Sequence, residues 1–259
     1  MKIARFSHMG KTQYGVVENQ IIKGYRGSPF THPDSGKVYF NSDGTRYKLS
    51  EVKLLAPCEP TKVVCLGLNY RKHIEEIGFK FPENPILFLK PPSAIINTEE
   101  HIIRPKSAAG RIDYEGEVGV VIGKKTKDVP EKNALEYILG YTCLNDVTDR
   151  YAQQKDGQWT RAKGFDTFCP IGPWIETEGN PGKMEVKTLL NGQIRQNSDT
   201  SYLIFKIPYL IAFISEVMTL MPGDIIATGT PEGVGQLNPG DTVEINVEGV
   251  GILRNYVRQ

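Results

Sequence analysis

Cysteine is scarce in this chain and never closely paired: Cys58, Cys65, Cys143 and Cys169 show no C-x-x-C spacing and lie in apolar or strand-like contexts such as KVVCLGL and GYTCLND. That usage gives no disulfide framework and predicts reduced, structural thiols in a cytosol. Long apolar runs are lacking as well. The longest, around YLIAFISEVMTL, is too short to span a bilayer and carries Glu216, and the opening MKIARFSHMG has no apolar signal region. The expectation is a soluble, unprocessed, cytoplasmic protein with no membrane contact. Charge of one sign is nowhere concentrated, since Lys and Arg are spread along a chain of formal net charge +1. Nothing in that distribution asks for nucleic acid. The chain also has no G-x-x-x-x-G-K-[ST] loop and no G-x-G-x-x-G opening a helix, which argues against a nucleotide-phosphate cradle.

What is present is an ordinary globular composition, 24% charged and 39% hydrophobic, with no repeat period and enough length to bury a sizeable core. Residues 1–54 are short apolar pieces (KIARF, YGVV, QIIKGY) cut by Gly, Pro, Asp and Ser clusters, which predicts a small β-rich N-terminal domain. The segment EVKLLAPCEPTK reads as a linker, and residues 55–259 as the main domain. There KVVCLGL, PILFLK, DYEGEVGVVIG and YILGYTCLND read as strands, and NYRKHIEEIG as a short helix ending near Gly78. Asn191-Gly192 between alternating residues predicts a β-hairpin. Pro208 opens a helix whose Leu210, Phe213, Ile214 and Val217 share one core-facing stripe, ended by Met221-Pro222-Gly223. The tail DIIATGT, DTVEINV and GILRNYV reads as short strands.

Three constellations carry chemistry. On a strand, residues i and i+2 share a face, so Glu115 and Glu117 would project two carboxylates from backbone positions about 6 to 7 Å apart. Such a pair also fits a solvated strand face, but the apolar VGVVIG that follows argues for burial, where the anions repel unless a cation lies between them. Asp146 ends a neighbouring strand, and an all-carboxylate set suits Mg²⁺, or alternatively Mn²⁺ or Ca²⁺. The second constellation is His73 with Glu76, three apart on one helical face: either a general base whose carboxylate raises its basicity, or an incidental surface pair. His8, His32 and His101 have no such partner. The third is Asp149 to Gln153 followed by Trp159 to Asp166, where Arg150, Gln153 and Lys163 could grip a substrate carboxylate or an enolate oxygen, or simply form a polar surface. The loop TGTPEGVG, containing Thr230, offers backbone donors to an anion or is a plain turn.

Taken in order and spacing, LLAPCEPTKVVCLGLNYRKHIEE, PILFLKPPSA, IDYEGEVGVVIGK, GYTCLNDVTDR, RAKGFDTFCPIGPWI, LNGQIRQ and LMPGDIIATGTPEGVG resemble the fumarylacetoacetate hydrolase superfamily, from about Leu54 onward. The chain is similar to its smaller members, the acylpyruvate hydrolases and hydroxyheptadienedioate isomerases. The resemblance implies a mostly β (α+β) fold, a mixed β-roll with a small β-rich N-terminal domain, forming a homodimer. It implies that Glu115, Glu117 and Asp146 hold Mg²⁺ or a similar ion, that His73 and Glu76 are a catalytic dyad on a lid, and that Lys163 is an active-site lysine. Arg150, Gln153 and Thr230 would face the substrate, a small keto or enol acid. The implied reaction is C–C hydrolysis of an acylpyruvate, the alternatives being isomerisation or tautomerisation of a hydroxy-dienedioate or oxaloacetate, decarboxylation, or less directly a sugar-acid dehydration. A non-catalytic, metal-stabilised binding protein is the reading from another class.

Overall fold

The protein is described by a computed structural model covering residues 1–30, 41–108 and 110–259. It is mostly β, and the described strands form three sheets. The large sheet runs in the order Ser42–Lys48, Ile21–Tyr25, Lys11–Glu18, Lys2–His8, Cys169–Glu176, Ile138–Asn145, Gly116–Ile122, Ile225–Ala227, Val63–Gly67, Ile86–Lys90. A five-stranded sheet runs Gln193–Asp199, Glu185–Leu190, Thr242–Val247, Gly251–Arg258, His101–Ile103. The third joins Thr148–Asp149, Ile112–Tyr114 and Gly235–Gln236.

The Gly116–Ile122 strand is the centre of this arrangement and is buried along its whole length. Val118, Val120 and Ile122 share a core with Val186, Ile245 and Leu253 of the five-stranded sheet, while Val121 packs in a second cluster with Ile171 and Ile225. Coverage on both faces is what a continuous VGVVI run encodes. Gly116 is there because the sheets touch: a Cβ would stand 2.1 Å from Thr188 Oγ1.

Several sequence expectations hold. Asn191 (φ +53°) and Gly192 (φ +76°) turn the hairpin between Glu185–Leu190 and Gln193–Asp199, as two left-handed residues in a two-residue loop should. Helix α1 (Arg71–Ile77) closes on Gly78 at φ +71°. The four cysteines are buried and free, and burial pushes the Cys143 and Cys169 thiols up to about 12. Helices α2 (Arg150–Asp156) and α3 (Thr160–Lys163) are short, and α2 is capped by Asp149, whose carboxylate accepts from the Tyr151 and Ala152 N–H groups.

Others need correcting. DYEGEVGVVIG is not one strand: Ile112–Tyr114 belongs to the three-stranded sheet, and the ladder breaks at Glu115. The Glu115 N–H is taken by the Asn145 side-chain oxygen at 3.0 Å and its carbonyl accepts from the Asp146 N–H at 2.8 Å, so tertiary partners replace ladder partners. The segment expected as a linker contains a strand, Lys53–Leu55, paired with Lys2–His8 because Leu54 packs against the Phe6 cluster. The N-terminal strands in turn extend the large sheet through Lys2↔Glu176 and Ile3↔Ile175. Helix α4 (Ile207–Val217) stops before Met221-Pro222-Gly223, because Met218 turns extended and Leu220 pairs with Thr126. Its buried face is Ile207, Leu210, Ile211, Ile214 and Ser215, whereas Val217 is exposed and the partly buried Phe213 stacks on Tyr209. His8 lies against Tyr47 and His101 against Tyr256, while His32 falls outside the described residues. No helix among the described residues is long and apolar enough to cross a membrane.

Candidate active site

Glu115 at the strand break, Glu117 one pleat later and Asp146 just past the end of Ile138–Asn145 converge, with one carboxylate oxygen from each lying within 4.8 Å of the others. All three are buried. Anions brought this close inside a protein need cations or donors. Glu115 has two cations: its Oε1 accepts from Arg150 Nη2 at 2.5 Å and its Oε2 from Lys163 Nζ at 2.7 Å. Asp146 also has two, Lys163 at 2.6 Å and Lys90 at 2.5 Å. Among the described residues Glu117 is bonded to no cation and accepts the Gly229 N–H alone, at 2.8 Å.

The titration behaviour follows from these partners. Burial works to raise the Glu115 carboxyl, but Lys163 and Arg150 together outweigh it and hold it below the usual carboxylate range. Burial, then repulsion from Asp146 and Glu115, pushes Glu117 well above that range. Desolvation works against the Lys163 ammonium, and Asp146 with Glu115 more than reverses it. An all-oxygen donor set with one buried carboxylate short of a cation fits a hard divalent ion.

The dyad expected from sequence comes together at the first turns of α1. His73 is 7% exposed, and its Nδ1 stands 3.4 Å from Glu76 Oε2. Glu76 is itself exposed, but it accepts the Gly233 N–H at 3.2 and 3.3 Å. The TGTPEGVG loop therefore uses two backbone donors on two site carboxylates, Gly229 on Glu117 and Gly233 on Glu76. Asn69 ties the start of α1 to this loop, giving its amide to Thr228 O at 2.8 Å and Phe205 O at 3.2 Å.

A cavity of about 770 Å³ opens over these groups. His73, Glu115, Glu117, Arg150, Gln153, Lys163 and Thr230 all line it, and Glu76 and Asp146 stand directly behind, bonded to His73 and Lys163. Apolar wall is supplied by Phe88 and Trp159, edge to face at 5.2 Å, with Leu66, Phe79 and Val234. Thr230 has its hydroxyl engaged, donating to Gly116 O at 3.1 Å and accepting from Gln196 at 2.8 Å. Arg161 is not at the cavity and pairs with Asp156 on the surface.

Sequence reasoning missed Lys90, fully buried and bonded to Asp146 and to Val147 O at 3.1 Å. The signal for it is a lysine closing the apolar strand ILFLK, since a buried ammonium needs a buried acid. It also missed Asp113, 1% exposed, which receives Arg150 Nε at 2.8 Å and the Arg111 guanidinium.

Residues 62–258 match the family model described as fumarylacetoacetate (FAA) hydrolase C-terminal, and residues 1–57 match one described as Rv2993c-like, N-terminal. The chain is 40% identical to the oxaloacetate tautomerase YisK of Bacillus subtilis, over 82% of this chain and 75% of that protein. Its fold is similar to the crystal structure of a 5-carboxymethyl-2-hydroxymuconate delta-isomerase from Mycobacterium smegmatis, with TM-score 0.91, 45% identity, and coverage of 100% of this chain and 99% of that one. It is also similar to a maleylpyruvate hydrolase from Sphingobium sp. SYK-6 in complex with manganese(II) and pyruvate, with TM-score 0.81, 31% identity, and coverage of 100% and 99%. On sequence and fold alike, the chain belongs to the fumarylacetoacetate hydrolase family.

Proposed function

We propose that this protein is a divalent-metal-dependent enzyme that moves a proton on small 2-keto or enol carboxylic acids, an isomerase or tautomerase. The observation that carries the reading is a single cavity lined by Glu115 and Glu117 of the carboxylate cluster, with Asp146 behind them, and by His73. Those three carboxylates would hold a hard divalent ion such as Mg²⁺ or Mn²⁺, which would supply Lewis acidity to a pyruvate-like head. The relative in complex with manganese and pyruvate supports that pairing of ion and head group.

The chain's own groups perform the proton transfer. With Nδ1 turned to Glu76, the Nε2 of His73 is the nitrogen left to take a proton from the carbon beside the carbonyl. Glu76, fixed by the Gly233 N–H, holds the imidazole in that tautomer and stabilises it once protonated. Lys163 is placed to balance negative charge as it develops on the substrate oxygens, and the Gln153 amide lines the same wall. His73 then returns the proton at the far end of the conjugated system.

Proton transfer is preferred over hydrolysis because the relatives at 40% and 45% identity are named as a tautomerase and an isomerase, whereas structures named as hydrolases stand at 36% and 31%. Those hydrolases favour a second reading, in which His73 activates water against a second carbonyl and a C–C bond breaks. Proton NMR in D₂O separates them, with oxaloacetate, acetylpyruvate and a hydroxy-dienedioate as substrates, Mn²⁺ or Mg²⁺ present, and chelator as control. Chelator-sensitive exchange or double-bond migration with the carbon skeleton intact is the expected result. Release of pyruvate from acetylpyruvate would establish the hydrolase instead. No turnover of any of the three by protein with ion bound would overturn the enzyme reading in favour of a binding role.

A further inference from the structure

Gln196 is 1% exposed in a strand, Gln193–Asp199, whose other residues are exposed or half-buried. A bulge puts it there. Thr188 pairs with Gln196 but Leu189 pairs with Ile194, so Arg195 is the extra residue, and Ile194 and Arg195 are both exposed. An inserted residue re-aims the side chain beside it, and Gln196 turns inward next to Thr188, onto Gly116.

All four hydrogen-bonding positions of its amide are filled. Oε1 accepts the Gly116 N–H at 3.0 Å and the Thr188 hydroxyl at 2.6 Å, while Nε2 donates to Thr230 Oγ1 and to Pro231 O, both at 2.8 Å. Two main-chain groups set this orientation, since the Gly116 N–H can only donate and the Pro231 carbonyl can only accept. The remaining proton follows from them: Thr230 accepts from Gln196 and turns its own hydroxyl proton to Gly116 O, at 3.1 Å. Gly116 lies between Glu115 and Glu117, so Gln196 holds both main-chain groups of the residue that spaces the two carboxylates, one directly and one through Thr230.

The same amide reaches a second support of the cluster. Thr230 and Pro231 directly follow Gly229, whose N–H is the bond on Glu117. Arg195 lies against the loop as well, for a Cβ on Gly233 would stand 2.2 Å from Arg195 O. Among the described residues, none of the cavity lining comes from Gln193–Asp199. The strand therefore braces the site without touching what enters it.

We propose that Gln196 is a positioning residue for the carboxylate cluster: through Gly116 and the Thr230-Pro231 main chain it fixes the spacing of Glu115 and Glu117 and the reach of the Gly229 N–H, and so sets ion affinity from outside the cavity. The inference rests on the reading above that the cluster holds a divalent ion. A fully satisfied buried network specifies one arrangement of the groups it joins, and here those groups are the backbone that carries the carboxylates.

The test is Mn²⁺ calorimetry on Gln196→Met, which keeps the volume and removes all four bonds, beside Asn255→Leu. Asn255 is a matched control, a buried amide of the same sheet that donates to Asn97 O at 2.9 Å and Glu100 O at 3.1 Å and does not line the cavity. Both substitutions should lower the melting temperature, because each leaves buried backbone groups without a partner. Gln196→Met alone should weaken Mn²⁺ binding, by about tenfold. Natural affinity in Gln196→Met, or equal weakening in Asn255→Leu, overturns the assignment while leaving the ion reading intact. A natural protein that binds no Mn²⁺ sinks that reading, and this proposal with it. Should Gln196→Met fail to fold, hydrogen exchange on the natural protein decides: Mn²⁺ should slow exchange in residues 193–199 as well as in 113–117, and protection confined to the segments that carry the carboxylates overturns the assignment.

Discussion

At the scale of single residues, the environment decides what His73 and Glu117 can do. His73 is buried at a cavity wall with Nδ1 facing a carboxylate, as the proposed general base requires. His73→Ala is expected to lower kcat by about 10²- to 10⁴-fold, with melting temperature and Mn²⁺ affinity close to those of the natural protein. Steady-state kinetics beside a Mn²⁺ titration check this, and unimpaired turnover would remove His73 from the mechanism. Glu117 makes a prediction about protons. Because burial and the neighbouring carboxylates push its carboxyl well above the usual range, it keeps its proton to higher pH than an ordinary glutamate. A cation must displace that proton, so ion affinity should rise with pH through the raised value and level off above it. Calorimetry in two buffers of different ionisation enthalpy should register proton release, and Glu117→Gln should abolish the release while weakening binding. Glu115, Glu117 and Asp146 were legible as a set because carboxylates buried inside apolar strands call for a cation among them. Lys90 and Asp113 were not, because each depends on a partner distant in sequence, Asp146 for one and Arg150 for the other.

At the scale of elements, the TGTPEGVG loop organises the site more than any helix does. It gives the Gly229 N–H to Glu117 and the Gly233 N–H to Glu76. Gly229 sits at φ +98°, and a Cβ there would stand 2.9 Å from Asn69 Cβ, so the conformation and the contact both require glycine. Gly229→Ala should cost about 1–3 kcal/mol and weaken Mn²⁺ binding together, read by thermal unfolding and by titration. Gly10→Ala is the control: φ is +78° with open space around it and the residue does not line the cavity, so it should lose stability without losing ion affinity. The sequence displayed the elements whose causes are local, the Asn191-Gly192 hairpin and the α1 stop at Gly78. It concealed those set by tertiary partners. The break at Glu115 depends on Asn145 thirty residues away, and α4 ends where Leu220 finds Thr126. The loop's role was half legible, since a run of glycines and hydroxyls promises free backbone donors without saying which anions they meet.

At the scale of the whole molecule, the site is assembled from segments near residues 69–76, 113–117, 145–163 and 228–233, brought together by the large sheet in which Gly116–Ile122 lies between Ile138–Asn145 and Ile225–Ala227. An ion held there ties those segments in the folded state and has no matching site in the unfolded chain, so binding is linked to folding. At an ion concentration of about one hundred times Kd the stabilisation is about 2.7 kcal/mol. For a chain of this size each kcal/mol raises Tm by about 2–4 °C, giving roughly 5–10 °C in calorimetry, reversed by chelator and absent in Glu115→Ala. The pH dependence of the ion-free protein carries a second signature, because the two glutamates work in opposite directions. Glu115, held below its ordinary value, contributes stability that is present above the unfolded glutamate pKa and lost as pH falls through the lowered value. Glu117, held above its ordinary value, favours the fold while protonated, and that contribution is lost as pH rises through the raised value. Saturating Mn²⁺ should therefore stabilise most on the alkaline side, where Glu117 is ionised and otherwise without a cation. A Tm gain that is flat from about pH 5 to about pH 9, or equal in Glu117→Gln and the natural protein, would show that the ion binds without Glu117.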